Sequence, residues 1–542
     1  MHPGLPVCAA ASRVLLAPFR PLIAILILCA AAYSQAQIDG RWIGACQNER
    51  TYRHLVIYIE CDARQSCNGF YVEPLRPENM MSPVKQIRSD AGKLTFEMQD
   101  GEARDTFSGT ISAKGLVGLM TTTEGDLTCS FFRAIKLPPD VLRKATGTYR
   151  GPGNRIVVIN PELRWLYMLD TKTFQTRRLS PLSESQFVFG PALGVHYPVQ
   201  GSLSFDKAYS MLTIDESGHQ FRARRVRFYT DEDVTFTNGT TKLAGTLRLP
   251  LGKGPFPAVV MLQGSNPQSR WGQEGFEGFV ADHLARNGIA VLLFDKRGIG
   301  ESDGPASDDY RVRAEDAVAA IEMLRRSPKI DSALIGLWGL SQGGQIEPYV
   351  ALKTRIAFAV NTSGSTVNSN DQEIQRTELQ LRADGFDEGQ IREAVAFQKL
   401  KFHYACHRDN WSEYSAAVEK FKHAKWFPDP YVGPPDDKED KAFNFWKCGA
   451  EPSLAWANYR GPVLLIYGEY EGYSSVPADL AAFKKAMDTA KNHEYEIQII
   501  KGADHGMGLA RNAGERERVQ AKQLSGDYFA LVTKWVLRQC RK

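Results

Sequence analysis

Blocks of like charge are missing from this chain of 542 residues, and its charges nearly cancel: 66 Lys and Arg face 62 Asp and Glu, a net of +4. So small an imbalance argues against nucleic acid or an anionic membrane as partner. Also missing is any stretch of the ~20 apolar residues that a transmembrane helix needs. No CxxC pair or close Cys/His tetrad occurs, which argues against a structural metal, and neither a metal nor an organic cofactor is expected. With 43% hydrophobic and 24% charged residues, the chain is neither disordered nor collagenous. Its length exceeds the ~100–200 residues of one compact domain.

What is present begins with a leader. Arg13 and Arg20 are the only charged side chains before Asp39. After Arg20 comes PLIAILILCAAA, 12 apolar residues, and then the small residues of Ser34-Gln35-Ala36. This is the outline of a secretory signal peptide over residues 1–36, cut after Ala36, with a run too short to span a bilayer. Leu28 beside Cys29 argues against a lipid-attachment cysteine. The mature chain is therefore expected outside the cytoplasm, periplasmic or secreted.

Cysteine usage agrees with export. Of nine cysteines, seven lie beyond the leader, and Cys46, Cys61, Cys67 and Cys129 fall in one small β-rich stretch. Two disulfides are expected there, Cys61–Cys67 and Cys46–Cys129 being preferred among three pairings. Cys406 and Cys448 form a candidate third pair, leaving Cys540 free.

Three units follow the leader. Residues 38–137 alternate polar and apolar in short runs such as HLVIYIE and KLTFEMQ, the pattern of an antiparallel barrel or sandwich. Residues 145–226 repeat that character. Gly40-Arg41-Trp42-Ile43-Gly44 and Gly147-Thr148-Tyr149-Arg150-Gly151 open the two units, and Gly109-Thr110-Ile111-Ser112 and Gly201-Ser202-Leu203-Ser204 come late in each. They read as two related β-modules, structural or built for recognition.

Residues 227–542 change period. Apolar runs at Leu243–Leu249, Ala258–Leu262, Ala290–Phe294, Leu334–Trp338, Ala357–Val360, Val463–Tyr467 and Glu496–Ile500 alternate with helical stretches at Gly278–Asn287, Val312–Arg326, Ala478–Ala490 and Glu515–Leu537. This predicts an α/β class, a largely parallel sheet with helices on both faces. Residues 365–460 interrupt the alternation and read as a helical cap insertion.

The chemistry concentrates in this unit. Gly339-Leu340-Ser341-Gln342-Gly343 follows an apolar run and opens a helix. A serine there, with glycines two before and two after, is a nucleophile elbow. A serine hydroxyl needs a base, and His505, after the last apolar run, fits in chain order. The acid that orients the imidazole belongs between them. Glu471, in the loop after VLLIYG, is the first choice, with Glu469, Asp479 and Asp504 as alternatives. The oxyanion donors are expected to be the amides of Gln342 and Ser265.

These segments resemble the α/β-hydrolase superfamily, in its serine aminopeptidase-like and prolyl-oligopeptidase-like esterase branch. The resemblance rests on LAGTLRLP, PAVVMLQGSNPQSR, FDKRGIGESDG, GLSQGG, LLIYGEYE and GADHG, in that order, and covers roughly 310 residues. It implies a Ser341, His505, Glu471 triad, and a structural role for the loop of Asp295 and Arg297. Two departures stand out. Gln263 occupies the place of a usual histidine, and Glu471 that of a usual aspartate, though glutamate serves in some relatives.

The function expected is that of an exported serine hydrolase acting on a carboxylic ester or thioester. A serine peptidase on short peptides is the first alternative. An inert exported binding protein, its β-modules holding a glycan or protein ligand, is the second. Aromatics of the insertion (Trp411, Tyr414, Phe421, Trp426, Phe427, Tyr431, Phe443, Phe445, Trp446) suit either an apolar substrate pocket or the cap's own core.

Overall fold

The computed structural model describes residues 38–541, apart from 63–65, 75–81, 101–102, 113–114, 163–164, 428–431 and 433–447. The leader expected at 1–36 lies outside these residues. Among the described residues no helix is long and apolar enough to cross a membrane.

Eight strands between Gly40 and Ala134 pair antiparallel, each with the next, and the last pairs with the first. Closure leaves no free edge. Period-two alternation fills the interior: along Gly125–Ala134, Leu127, Cys129 and Phe131 are buried while the residues between them are exposed. Cys46 and Cys129 stand opposite one another on the first and last strands, and their disulfide rivets the seam of the barrel. A second disulfide, Cys61–Cys67, spans the turn between the second and third strands.

A helix at Pro139–Ala145 leads to a second closed barrel of eight strands between Gly147 and Val226. The glycine-aromatic motifs open the first strand of each barrel, and the late GTIS and GSLS segments end the sixth strand of one and begin the sixth of the other. On Ile156–Glu162, Val157 and Ile159 point into the second barrel. Ile156 and Val158 point outward instead, and with Tyr167, Leu169 and Leu193 they join the core of the third unit.

That unit is an eight-stranded sheet: β1 (Tyr229–Asn238), β2 (Thr241–Pro250), β3 (Phe256–Leu262), β4 (Ala290–Phe294), β5 (Ile330–Leu340), β6 (Ala359–Thr362), β7 (Val463–Tyr470) and β8 (Tyr495–Asp504). Their order is β1-β2-β4-β3-β5-β6-β7-β8, and β3 to β8 run parallel. Strands buried on both faces explain the continuous apolar runs. Successive residues of β3 serve opposite cores: Ala258, Val260 and Leu262 one, Val259 and Met261 the other. Helices α1 (Phe276–Arg286), α2 (Tyr310–Arg325), α3 (Gln342–Ala351), α7 (Val476–Ala490) and α8 (Gly526–Gln539) cover the sheet. The cap leaves after β6 through α4 (Ser369–Ala383), α5 (Glu388–His407) and α6 (Trp411–Phe421).

Two expectations are corrected. Cys406 and Cys448 are not bonded to each other. Cys406 Sγ accepts from the Asn370 amide at 3.7 Å, while the Cys448 thiol donates to Ala405 O at 3.8 Å. The helix expected over Glu515–Leu537 is broken into Glu515–Arg518 and α8. Its middle gives up helical hydrogen bonds for pairing with the second barrel, where Leu193 N–H donates to Ala521 O and Thr176 N–H to Lys522 O, both at 3.0 Å.

Candidate active site

The site forms where β5 turns into α3. Ser341 sits between them with φ 54° and ψ −120°, a strained backbone that most residues avoid. The turn closes because its neighbours have no side chain. A Cβ on Gly343 would stand 1.9 Å from Leu262 O, and one on Gly339 would stand 2.4 Å from Gly343 C. The Ser341 N–H donates to Thr362 O on β6 at 2.8 Å, which fixes the turn to the sheet. The amino-terminus of α3 lies directly beyond the hydroxyl and favours negative charge there.

β7 and β8 are parallel neighbours, with Tyr470 opposite Asp504. The residues after them, Glu471 and His505, therefore leave the same edge together. His505 Nδ1 lies 2.7 Å from Glu471 Oε1. A carboxylate only accepts, so Nδ1 is the donor, and in the neutral ring Nε2 keeps its lone pair. Glu471 is 7% exposed, and its Oε1 also accepts from the Tyr473 N–H at 2.8 Å. The other carboxylates considered for this place are engaged elsewhere. Glu469 Oε2 accepts from the Gly502 N–H at 2.7 Å. Asp479 takes the Ser365 hydroxyl and the Thr366 N–H, both at 2.7 Å. Asp504 binds the amides of Gly506 and Gly508, and burial pushes its carboxyl up to about 6.

Two side chains near the histidine were not anticipated. Tyr473 stacks on His505 with ring centroids 4.1 Å apart, and Arg376 of α4 covers the other ring at 4.7 Å from the Tyr473 centroid. An aromatic two residues past Glu471 was the one legible hint. The arginine, about a hundred residues away in sequence, gave none.

The loop after β3 lies against the serine: a Cβ on Gly264 would stand 3.6 Å from Ser341 Cβ. Its carbonyls are gripped from behind. Lys296 Nζ donates to Gly264 O at 2.5 Å and Asn266 O at 2.7 Å, and Arg313 donates to Gln263 O at 2.9 Å and to Gln342 Oε1 at 2.5 Å. Gln263 is fully buried and its amide donates to Phe294 O, bracing the loop against β4. Asp295 receives Arg270 and the Glu301 N–H, while Arg297 pairs with Asp316, so both knit loops together away from the serine.

Ser341, His505, Ser265 and Gln342 line one cavity of about 510 Å³. Its polar lining includes Glu373, Arg376, Gln398 and Lys401 of the cap, and its apolar lining includes Phe276, Phe279, Leu340 and Leu524. Among the described residues, the cap aromatics Trp411, Tyr414, Phe421, Trp426 and Phe427 do not line it. They pack with Phe397 and Tyr404 into a core of their own. Tyr431, Phe443, Phe445 and Trp446 lie outside the described residues.

With the sheet order and the serine turn in place, residues 257–507 match the family model described as alpha/beta hydrolase fold. This segment belongs to the α/β-hydrolase family. The matched hydrolase segment spans Ser341 and Glu471 and includes His505. Among relatives, thiohydrolase aneE of Aspergillus aculeatus is 42% identical over 109 residues, 19% of this chain and 31% of that protein. Polyketide transferase grgF of a Penicillium species is 32% identical over 154 residues, 28% of this chain and 50% of the other. Esterase EstD of Thermotoga maritima is 30% identical over 131 residues, 23% and 30% of the two. The chain thus spans between 30% and 50% of the length of these curated relatives.

Proposed function

We propose that this α/β-hydrolase is an exported serine hydrolase that cleaves a carboxylic ester or thioester through an acyl-enzyme. The observation that carries the reading is a serine on a strained turn sharing a cavity with an imidazole whose far nitrogen is bound to a buried carboxylate. Ser341 Oγ adds to the substrate carbonyl carbon as His505 Nε2 takes its proton. The oxyanion forms beside the amides of Gln342 and Ser265. Lys296 supports the second donor: because the peptide is trans, pulling Gly264 O backward turns the Ser265 N–H the opposite way. His505 returns its proton to the departing alcohol or thiol. It then deprotonates a water, whose oxygen takes the acyl group, and the proton goes back to Ser341. Glu471 stabilises the imidazolium in both halves.

The names of the relatives, a thiohydrolase and an esterase among them, favour an ester or thioester over a peptide. Among the cavity's acidic residues, Asp308 faces Lys296 at 3.3 Å and Glu373 faces Arg376 at 3.2 Å. The two disulfides support an oxidising compartment.

Labelling with a fluorophosphonate tests the enzyme reading. Wild type is expected to label and Ser341→Ala not to label. Absent labelling of folded wild type would favour an inert binding protein. Hydrolysis of p-nitrophenyl esters and acyl thioesters, set against aminoacyl anilides, tests the substrate class. Faster anilide turnover would move the assignment to a peptidase.

A further inference from the structure

The second barrel is more than a neighbour of the catalytic unit. Its outward residues Ile156, Val158, Tyr167, Leu169 and Leu193 share a core with Phe276 and Phe279 of α1 and with Leu524. Two of its loops are sewn to residues 519–524. The N–H groups of Leu193 and Gly194 donate to Ala521 O and Val519 O at 3.0 Å, and the Leu524 N–H donates to Phe174 O at 2.9 Å. The fit leaves no slack, since a Cβ on Gly194 would come within 2.8 Å of Val519 O. The same segment continues the contact to the histidine loop. The Leu509 N–H donates to Gln523 O at 2.8 Å and the Ser525 N–H to Met507 O at 2.8 Å, four and two residues past His505.

Leu193 and Thr176 of this barrel line the cavity that holds Ser341 and His505. Leu193 is 8% exposed. The cap lends the cavity Glu373, Arg376, Gln398 and Lys401 together with the apolar Phe402 and Ala405, while Leu193, Phe276, Phe279 and Leu524 form an apolar wall from the barrel and the elements packed on it.

Building on the hydrolase reading above, we propose that the second barrel forms the acyl-binding wall of the site and that Leu193 sets how long an acyl chain it accepts. A substrate with an unbranched or lightly branched aliphatic acyl group would lay that chain against Leu193 and Phe276. The barrel is then a specificity element.

The test is a p-nitrophenyl ester series from acetate to decanoate on the full-length protein, with fluorophosphonate labelling in parallel. Each methylene buried in the wall is worth about fourfold in kcat/KM. Leu193→Trp is expected to lower the octanoate and decanoate rates at least tenfold relative to its own acetate rate. Leu193→Ala is expected to shift the optimum toward longer chains, and it carries the test should the tryptophan variant not fold. Should both folded variants label normally while their chain-length profiles parallel that of wild type, the acyl-wall assignment is wrong and the hydrolase reading stands. Wild type that neither labels nor turns over any ester would instead overturn the hydrolase reading beneath it.

Discussion

Replacing Glu471 by Gln would remove one negative charge and little else. Glu471 Oε1 accepts from both His505 Nδ1 and the Tyr473 N–H, and an amide oxygen in the same place accepts from both as well. The imidazole tautomer is therefore kept. What is lost is the attraction between the carboxylate and the imidazolium that forms in the transition state. Two unit charges whose centres lie about 4 Å apart attract by about 4 kcal/mol at an effective dielectric of 20. That corresponds to a fall of roughly 10³ in kcat. KM should hardly move, because the interaction strengthens only as charge develops. Glu471→Ala also gives up the orienting hydrogen bond and is expected to fall further, toward the ~10⁴ lost when a triad acid is removed. Glu469→Gln is the control. Its oxygen can still accept from the Gly502 N–H, so turnover should stay within about twofold and stability within about 0.5 kcal/mol. Steady-state kinetics on the best p-nitrophenyl ester, with a thermal melt of each variant, decides the matter. Glu471→Gln within tenfold of wild type, or Glu469→Gln the more damaging of the two, would refute the reasoning.

Three further outcomes are expected. Cys46–Cys129 closes a loop of 83 residues and Cys61–Cys67 one of 6. On a chain-entropy basis the first contributes about 4.5 kcal/mol and the second about 2, so denaturant unfolding of Cys46→Ala/Cys129→Ala should show the larger loss; equal losses would count against the barrel-seam reading. Gly343→Ala drives a Cβ into the Leu262 carbonyl and should abolish ester turnover. Gly344→Ala meets a side chain first, Asn361 Oδ1 at 2.6 Å, and should retain some, and the reverse ranking of measured rates would contradict the turn geometry. Glu277 is fully buried, and burial raises its carboxyl to about 8 from 4.5. A folded-state pKa above the unfolded one gives stability that is whole below about 4.5 and drains away as pH rises to about 8, by up to about 5 kcal/mol. Melting temperatures between pH 5 and 8 should therefore fall more steeply for wild type than for Glu277→Gln, and parallel slopes would be the contrary result.

Local signals carried far in this chain. Continuous apolar runs announced the buried parallel strands, because β3, β4 and the second half of β5 are buried on both faces. Gly339 and Gly343 announced the turn, because the backbone there has no room for a Cβ. Chain order pointed to His505 and to the loop after β7, but it left Glu469, Asp479 and Asp504 open beside Glu471, which only the 2.7 Å contact with His505 sets apart. Contacts joining distant segments were not legible. Nothing in the sequence near Leu193 signals a cavity lined by residues more than three hundred positions later, and the period of Glu515–Leu537 hid the break that makes that contact. The cap aromatics were ambiguous for a related reason: a self-contained core and a pocket lining need the same residue types, and only packing separates them.

The sewing of residues 519–524 onto the second barrel also bears on how the chain is made. Gln523 donates to Thr173 O across 350 positions, and Arg177 to Lys522 O across 345. A ribosome delivers the barrel long before those partners exist. Until they arrive, the barrel loops at Phe174 and Leu193 lack the backbone partners that close them. Such unpaired backbone invites self-association. Nascent chains halted before the last strand and helix should therefore be the species that a holdase protects.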